Sequence, residues 1–272
     1  AGLVWDYLAG YNLGLSVALS QRAPSAAELF SFGPHIGTST FEIGAVFDLE
    51  QDEEHLDASL STQAVDVETS YSVDLTWRKF EGDLGFVVST FYNHVKDYYY
   101  QQDTGLIFGD EEHEDEEGLP ILVYRQDDVN MYGFEAEVVY QVASPLKATL
   151  YADYIKAQLA DDVDNNSQSL PRIPPMRIGG LLNYQANSFD GELSVNHYFD
   201  QDDIAPLETT TDGYTLVDLN VNYYLDNFGH DIVIYAKANN ITDEVAKVHS
   251  SFLKDVSPLP GRNFSFGIRG SF

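Results

Sequence analysis

The chain has 272 residues, with 44 Asp and Glu against 14 Lys and Arg, a formal net charge of −30 and no cysteine. That balance excludes a nucleic-acid partner, which needs a basic face, disfavours anionic lipid surfaces and attracts cations. The lack of cysteine excludes disulfide frameworks and thiolate metal sites, and a content of 44% apolar and 13% aromatic residues is too high for a solvated tail.

Period-two alternation dominates the sequence and predicts about eleven strands. The first two cover 2–8 and 12–21; in the second, Leu13, Leu15, Val17 and Leu19 alternate with Asn12, Gly14, Ser16 and Ser20. The connection 22–67 holds Pro24 and a Ser25/Glu28 pair at capping-box spacing, which predicts a short helix over "SAAELFSF". In "GPHIG", Pro34 and its flanking glycines predict a tight, irregular turn able to present His35. Strand 68–78 sets Tyr71, Val73, Leu75 and Trp77 against Ser72, Asp74, Thr76 and Arg78, and strand 84–98 carries His94 near its far end.

Strand 123–141 follows, with Phe134, Ala136, Val138 and Tyr140 opposite Glu135 and Glu137. The remaining strands are expected at 148–159, 177–186, 191–200, 214–225, 231–240 and 262–272. His197 falls on an apolar face by parity, His230 in a short turn, and His249 in the last long connection. The terminal strand places Phe264, Phe266, Ile268 and Phe272 on one side.

The connections alternate in length. "AGYN", "KFEGD", "ASPLK", "ANSFD" and "DNFGHD" are short, whereas 22–67, 99–122, 160–176, 201–213 and 241–261 are long. Short inner turns and long outer loops mark a transmembrane β-barrel, and a Greek-key sandwich has no reason to keep them. The expectation is therefore an all-β, antiparallel transmembrane barrel segment. No run of 18 apolar residues offers a spanning helix, and the first residues have no basic export region, so an export signal is expected upstream. Bacterial single-chain barrels have even strand numbers, so the missing strands are expected as another segment or chain. There is no Gly-rich phosphate loop, HExxH or GxSxG, and no enzyme is expected.

Two long connections carry acids packed around a histidine. One has Asp48, Glu50, Asp52, Glu53, Glu54 and Asp57 around His55; the other has Asp110, Glu111, Glu112, Glu114, Asp115, Glu116 and Glu117 around His113. Carboxylate with imidazole suits zinc, manganese, nickel or copper, and no EF-hand spacing favours calcium. A solvated acidic loop is the plain alternative for any single acid. As groups, the clusters form a negative mouth that concentrates cations.

"RAPSAAELFSFGPHIGTSTFEIG" (22–44), "MYGFEAEV" (131–138), "ANNITDEVAKVHSSFLKDVSPLPGRNF" (238–264) and the terminal Phe272 resemble TonB-dependent outer-membrane receptors. "GPH" and "PLPGRNF" are most similar to the zinc-uptake branch. The resemblance implies a 22-stranded barrel of which residues 1–272 are the C-terminal part, an N-terminal plug, and transport driven by the TonB–ExbB–ExbD system. It implies zinc, or another divalent metal, as transported substrate and no resident cofactor. It also implies lipid and lipopolysaccharide around the barrel, and the barrel-assembly machinery reading the terminal aromatic. His35 becomes the candidate for a tight metal ligand near the plug, and His249 a weaker candidate at the mouth. Glu135, Glu137, Asp153 and Asp218 read as ordinary lumen polarity. The alternatives are a ferric-siderophore or copper receptor, a passive acidic porin or adhesin, and a calcium-binding acidic β-protein.

Overall fold

A computed structural model describes residues 1–51, 56–62, 64–109, 118–160, 167–227 and 230–271. The elements in chain order are β1 (Gly2–Leu8), β2 (Tyr11–Arg22), α1 (Ala26–Phe30), β3 (Phe32–His35), β4 (Thr40–Ile43), β5 (Phe47–Gln51), β6 (Leu56–Leu60), β7 (Glu68–Lys79), β8 (Leu84–Phe108), β9 (Leu119–Ala143), β10 (Leu146–Leu159), β11 (Arg177–Gln185), β12 (Phe189–Tyr198), β13 (Tyr214–Asn227), β14 (His230–Asn239) and β15 (Asn263–Ser271). The path β1-β2-β7-β8-β9-β10-β11-β12-β13-β14-β15 is one antiparallel meander, in which each strand pairs with its neighbours along the path.

The alternation fixes the register. Leu13 faces Trp77, Leu15 faces Leu75 and Val17 faces Val73. Leu193 lies between Leu182 and Leu219, and Ile234 between Tyr223 and Ile268. The apolar rows continue from strand to strand because a slip of one residue would invert every side chain. This apolar face is the exposed one: Phe264, Phe266 and Ile268 are 65%, 83% and 73% accessible. A transmembrane barrel presents such a face to lipid.

The opposite face is polar and bonded across strands. Thr76 and Ser89 hydroxyls are 3.0 Å apart, Arg177 Nε donates to Asp153 at 2.8 Å, and Asn183 Nδ2 donates to Glu192 at 2.6 Å. The Phe91 ring lies over Gly133, where an added Cβ would fall 2.8 Å from the ring and closer still to the Tyr154 carbonyl oxygen. Glycine there lets a large inward ring lie flat on the wall.

The buried apolar residues gather at the end of the long connections. Val95, Val129, Ala157, Leu159 and Leu170 form one cluster. Phe41, Ile43, Ile121 and Val123 form another, with Phe47, Leu49, Leu106 and Leu119 against it. The second cluster exists because β4 adds in parallel to β9, pairing Phe41 with Ile121 and Ile43 with Val123.

The eleven path strands fall where the alternation places them, but β8 and β9 are longer than expected. Their ladder shifts between Val95 and Tyr98, where Asp97 takes φ 55°, and then resumes with Tyr98 opposite Asp127. The β-bulge changes the phase of the pattern, and phase was the only signal available. The pairs β3–β4 and β5–β6, expected as loop, are short hairpins. The helix is shorter than "SAAELFSF" because Phe32 enters β3, but its Ser25/Glu28 capping box is present. The turn expected at "GPHIG" lies further on: Gly33, Pro34 and His35 pair in β3, and Ser39 has φ 52°. Similarly, His230 opens β14 opposite Asn227 rather than sitting in the turn. Phe272 lies outside the described residues.

Candidate functional site

The chain from 22 to 43 is held at the mouth by local chemistry. Arg22 Nη1 contacts Glu28 Oε2 at 2.9 Å and Arg22 Nη2 contacts Glu68 Oε2 at 2.6 Å, tying α1 to the ends of β2 and β7. Glu28 also accepts from the Ser25 amide at 2.7 Å. Gly44 and Ala45 amides donate to Ser31 and Glu28 carbonyls, closing the helix against β4.

This frame places His35 at the end of β3 with its side chain 55% exposed. Its Nδ1 is 2.8 Å from Thr38 Oγ1, which is 2.7 Å from Thr40 Oγ1, and 3.7 Å from Glu42 Oε1. The Thr38 hydroxyl on Nδ1 orients the ring, with the Glu42 carboxylate nearby, and leaves Nε2 as the face on offer, the arrangement that metal-ligating histidines use.

Beside this hairpin is a cavity of about 260 Å³, lined by Thr38, Tyr100, Arg172, Glu208, His249 and Lys254 among others. The Arg172 guanidinium lies over the Phe252 ring, 4.0 Å from its centroid. His249 is fully buried: Nδ1 bonds to Thr211 Oγ1 at 2.8 Å, and Nε2 has no hydrogen-bond partner among the described residues. Burial, then the Lys254 ammonium, hold this imidazole below its ordinary pKa, and the Glu208 carboxylate opposes them. Glu208 itself accepts from the Arg172 amide at 2.6 Å and the Ala205 amide at 3.0 Å.

The structure thus brings two of the expected metal residues to one end of the sheet. His35 is exposed beside the cavity, through Thr38, and His249 is buried in its wall. The other candidates, His55, Asp110, Glu111, Glu112, His113, Glu114 and Asp115, lie outside the described residues. Among the described residues no group of three or more His, Asp or Glu is placed to hold a metal ion. His94 is bonded to Asn130 and sits 3.4 Å from Asp128, while His197 bonds to Thr215 and packs on Phe199. Asp153 pairs with Arg177, and Asp218 accepts from the Asn240 amide at 2.7 Å, so both serve the wall. Sequence reasoning missed Glu208, Thr211 and Lys254; only Lys254, in "SSFLKD", sat beside a motif.

The chain is similar to solved transporters and receptors over nearly its whole length. Against the copper transporter OprC it is 16% identical with a TM-score of 0.73, covering 98% of this chain and 38% of that one. Against the FrpB iron transporter from Neisseria meningitidis the values are 12% and 0.64, covering 99% and 38%. Against the siderophore receptor PirA from Acinetobacter baumannii they are 16% and 0.62, covering 99% and 40%. The chain therefore spans about two fifths of these structures, whose low identity speaks for the fold alone. Residues 1–241 match the family model described as TonB dependent receptor-like, beta-barrel, and the chain belongs to that family.

Proposed function

We propose that this chain is the C-terminal barrel half of a bacterial outer-membrane receptor that imports zinc, powered by TonB–ExbB–ExbD acting through a plug. The observation that carries the reading is His35, whose Nδ1 is fixed by Thr38 and flanked by Glu42 while its side chain stays open. Neutral imidazole is a good zinc ligand, and a ring oriented by a second partner binds better. Fewer than three such ligands stand together among the described residues, so the plug is the natural source of the rest. An importer gains from such a shared site, because moving the plug breaks it and frees the ion.

The test is zinc calorimetry on the full-length receptor, with uptake measured in cells. His35→Ala should weaken zinc binding at least about tenfold, and Thr38→Val, which frees the ring, about tenfold. Unchanged affinity in both variants would defeat the reading. A second cargo, a metal held in an organic chelate, is favoured by one observation: Arg172 over Phe252 in the cavity suits an anionic ring. Uptake of a ferric or copper chelate without zinc uptake would select it.

A further inference from the structure

His249 is the one described histidine whose burial is complete and whose Nε2 lacks a partner. A buried polar nitrogen left unbonded forfeits its hydration without return, so it calls for an explanation. His249 lines the cavity at the mouth, and its Nε2 lies 3.9 Å from Glu208 Oε2. That gap is too long for a hydrogen bond. An ion between the two atoms would subtend an angle of roughly 140°, wider than tetrahedral, so a small closing of the gap completes the site. With zinc distances of about 2.0–2.1 Å to nitrogen and 2.0–2.2 Å to oxygen, the two ligand atoms stand roughly 3.4 Å apart at a tetrahedral angle and roughly 4.2 Å apart in line.

Both ligands are held in advance. Thr211 Oγ1 fixes the imidazole through Nδ1 at 2.8 Å, and two backbone amides fix the Glu208 carboxylate. We propose that His249 Nε2 and Glu208 Oε2 form a second divalent-metal site in the outer vestibule, completed by water. One nitrogen and one carboxylate oxygen suit zinc and its neighbours better than calcium or magnesium. Coordination uses the neutral tautomer: the single ring proton sits on Nδ1, where Thr211 Oγ1 accepts it, and the Nε2 lone pair goes to the ion, so no proton leaves the site.

The surroundings set the strength. Lys254 Nζ is 3.4 Å from His249 Nδ1 and bonds to Thr211 Oγ1 at 3.2 Å and to the Thr209 carbonyl. Arg172 lies on the same cavity. Two fixed positive charges oppose a cation, so the site is weaker and exchanges faster than a closed structural zinc centre. Those properties suit a staging point between the acidic outer loops and His35. The direction of travel rests on the zinc-import reading, but the site itself does not.

The experiment uses the full-length receptor and zinc alone. Crystals soaked in zinc should show an anomalous peak between His249 Nε2 and Glu208 Oε2, within about 2.2 Å of each. In solution, titration against a chromophoric chelator should find one zinc equivalent fewer in His249→Gln, with the His35 equivalent retained. Glu208→Gln, whose one carbonyl oxygen keeps the bond from either the Arg172 or the Ala205 amide, should weaken the same equivalent at least tenfold. It decides the matter if His249→Gln disturbs the loop. No peak at this position with the loop in place, or an unchanged stoichiometry in both variants, overturns the proposal. A peak at His249 with none at His35 leaves this site standing and defeats the cargo reading instead.

Discussion

Asn240 follows the last residue of β14 with φ 49°, a left-handed conformation that asparagine tolerates better than most residues. It is 4% exposed and ties three segments together. Its side-chain amide donates to the Glu244 and Pro260 carbonyls at 2.8 and 3.2 Å, its Oδ1 accepts from the Glu244 amide at 2.9 Å, and its own amide reaches Asp218. Asn240→Ala loses the side-chain bonds and strains the backbone, at a local cost of about 2–4 kcal/mol. Asn240→Gly keeps the conformation and should cost less. Limited proteolysis within 241–262 should rise most in Asn240→Ala and less in Asn240→Gly, while the barrel keeps its heat-modifiable migration in detergent gels. Equal cleavage in both variants would remove the conformational part of the argument. Glu28 offers a pH test at the same scale. Burial by itself would raise its pKa, but hydrogen bonds from Arg22 and Ser25 outweigh burial and hold it below its ordinary 4.5. A depressed folded pKa gives stability that is present above 4.5 and is lost as pH falls through the folded value. Cleavage of the 23–46 segment should therefore rise below pH 4.5 in wild type, and Glu28→Gln should already show it at neutral pH.

At the scale of elements, the wall and the mouth obey different rules. The wall strands each have one apolar and one polar face, and their alternation survives in the sequence because neighbours impose the same period. That is why β7, with Tyr71, Val73, Leu75 and Trp77 on one face, could be read directly. The mouth elements owe their existence to distant contacts. β4 is four residues long and fully buried, and nothing in "TFEI" states that it will pair in parallel with β9. The outer part of β8 follows a bulge and reads as polar and aromatic on both faces, so its alternation carries no information. The site divides in the same way. The motif marks His35 as a candidate from the sequence alone, whereas the burial of His249 depends on Thr211 and Lys254 folding around it. The mouth cluster should also be separable from the wall. Ile43 is 1% exposed in the cluster with Ile121 and Val123. Ile43→Ala should destabilise it by about 2–5 kcal/mol. Hydrogen exchange should then quicken in 40–43 and 119–123 but not in β10 to β15, and a uniform change would show that wall and mouth unfold together.

At the scale of the molecule, a charge of −30 sits on a wall whose lipid face is apolar, so the charge has only the lumen and the loops to occupy. The densest run, the seven acids around His113 in 110–117, belongs to the connection carried by the β8–β9 hairpin. Cations are the countercharge that such a run collects from solution. A negative mouth raises the arrival rate of a divalent ion by about ten- to a thousandfold at low salt. It adds little to equilibrium affinity, because a run of carboxylates is a weak and unselective ligand. If the receptor imports zinc through His35 as proposed, replacing the seven acids by Asn and Gln in the full-length protein should slow uptake at scarce zinc and leave binding at His35 unchanged. The loss should shrink between about 0.01 and 0.15 M salt, as the Debye length falls from about 30 to about 8 Å. His35→Ala should do the opposite, weakening equilibrium binding with little dependence on salt. If the neutral loop loses the tight site while His35→Ala keeps it, the roles assigned to loop and histidine are reversed, and the cargo is held by the charge rather than guided by it.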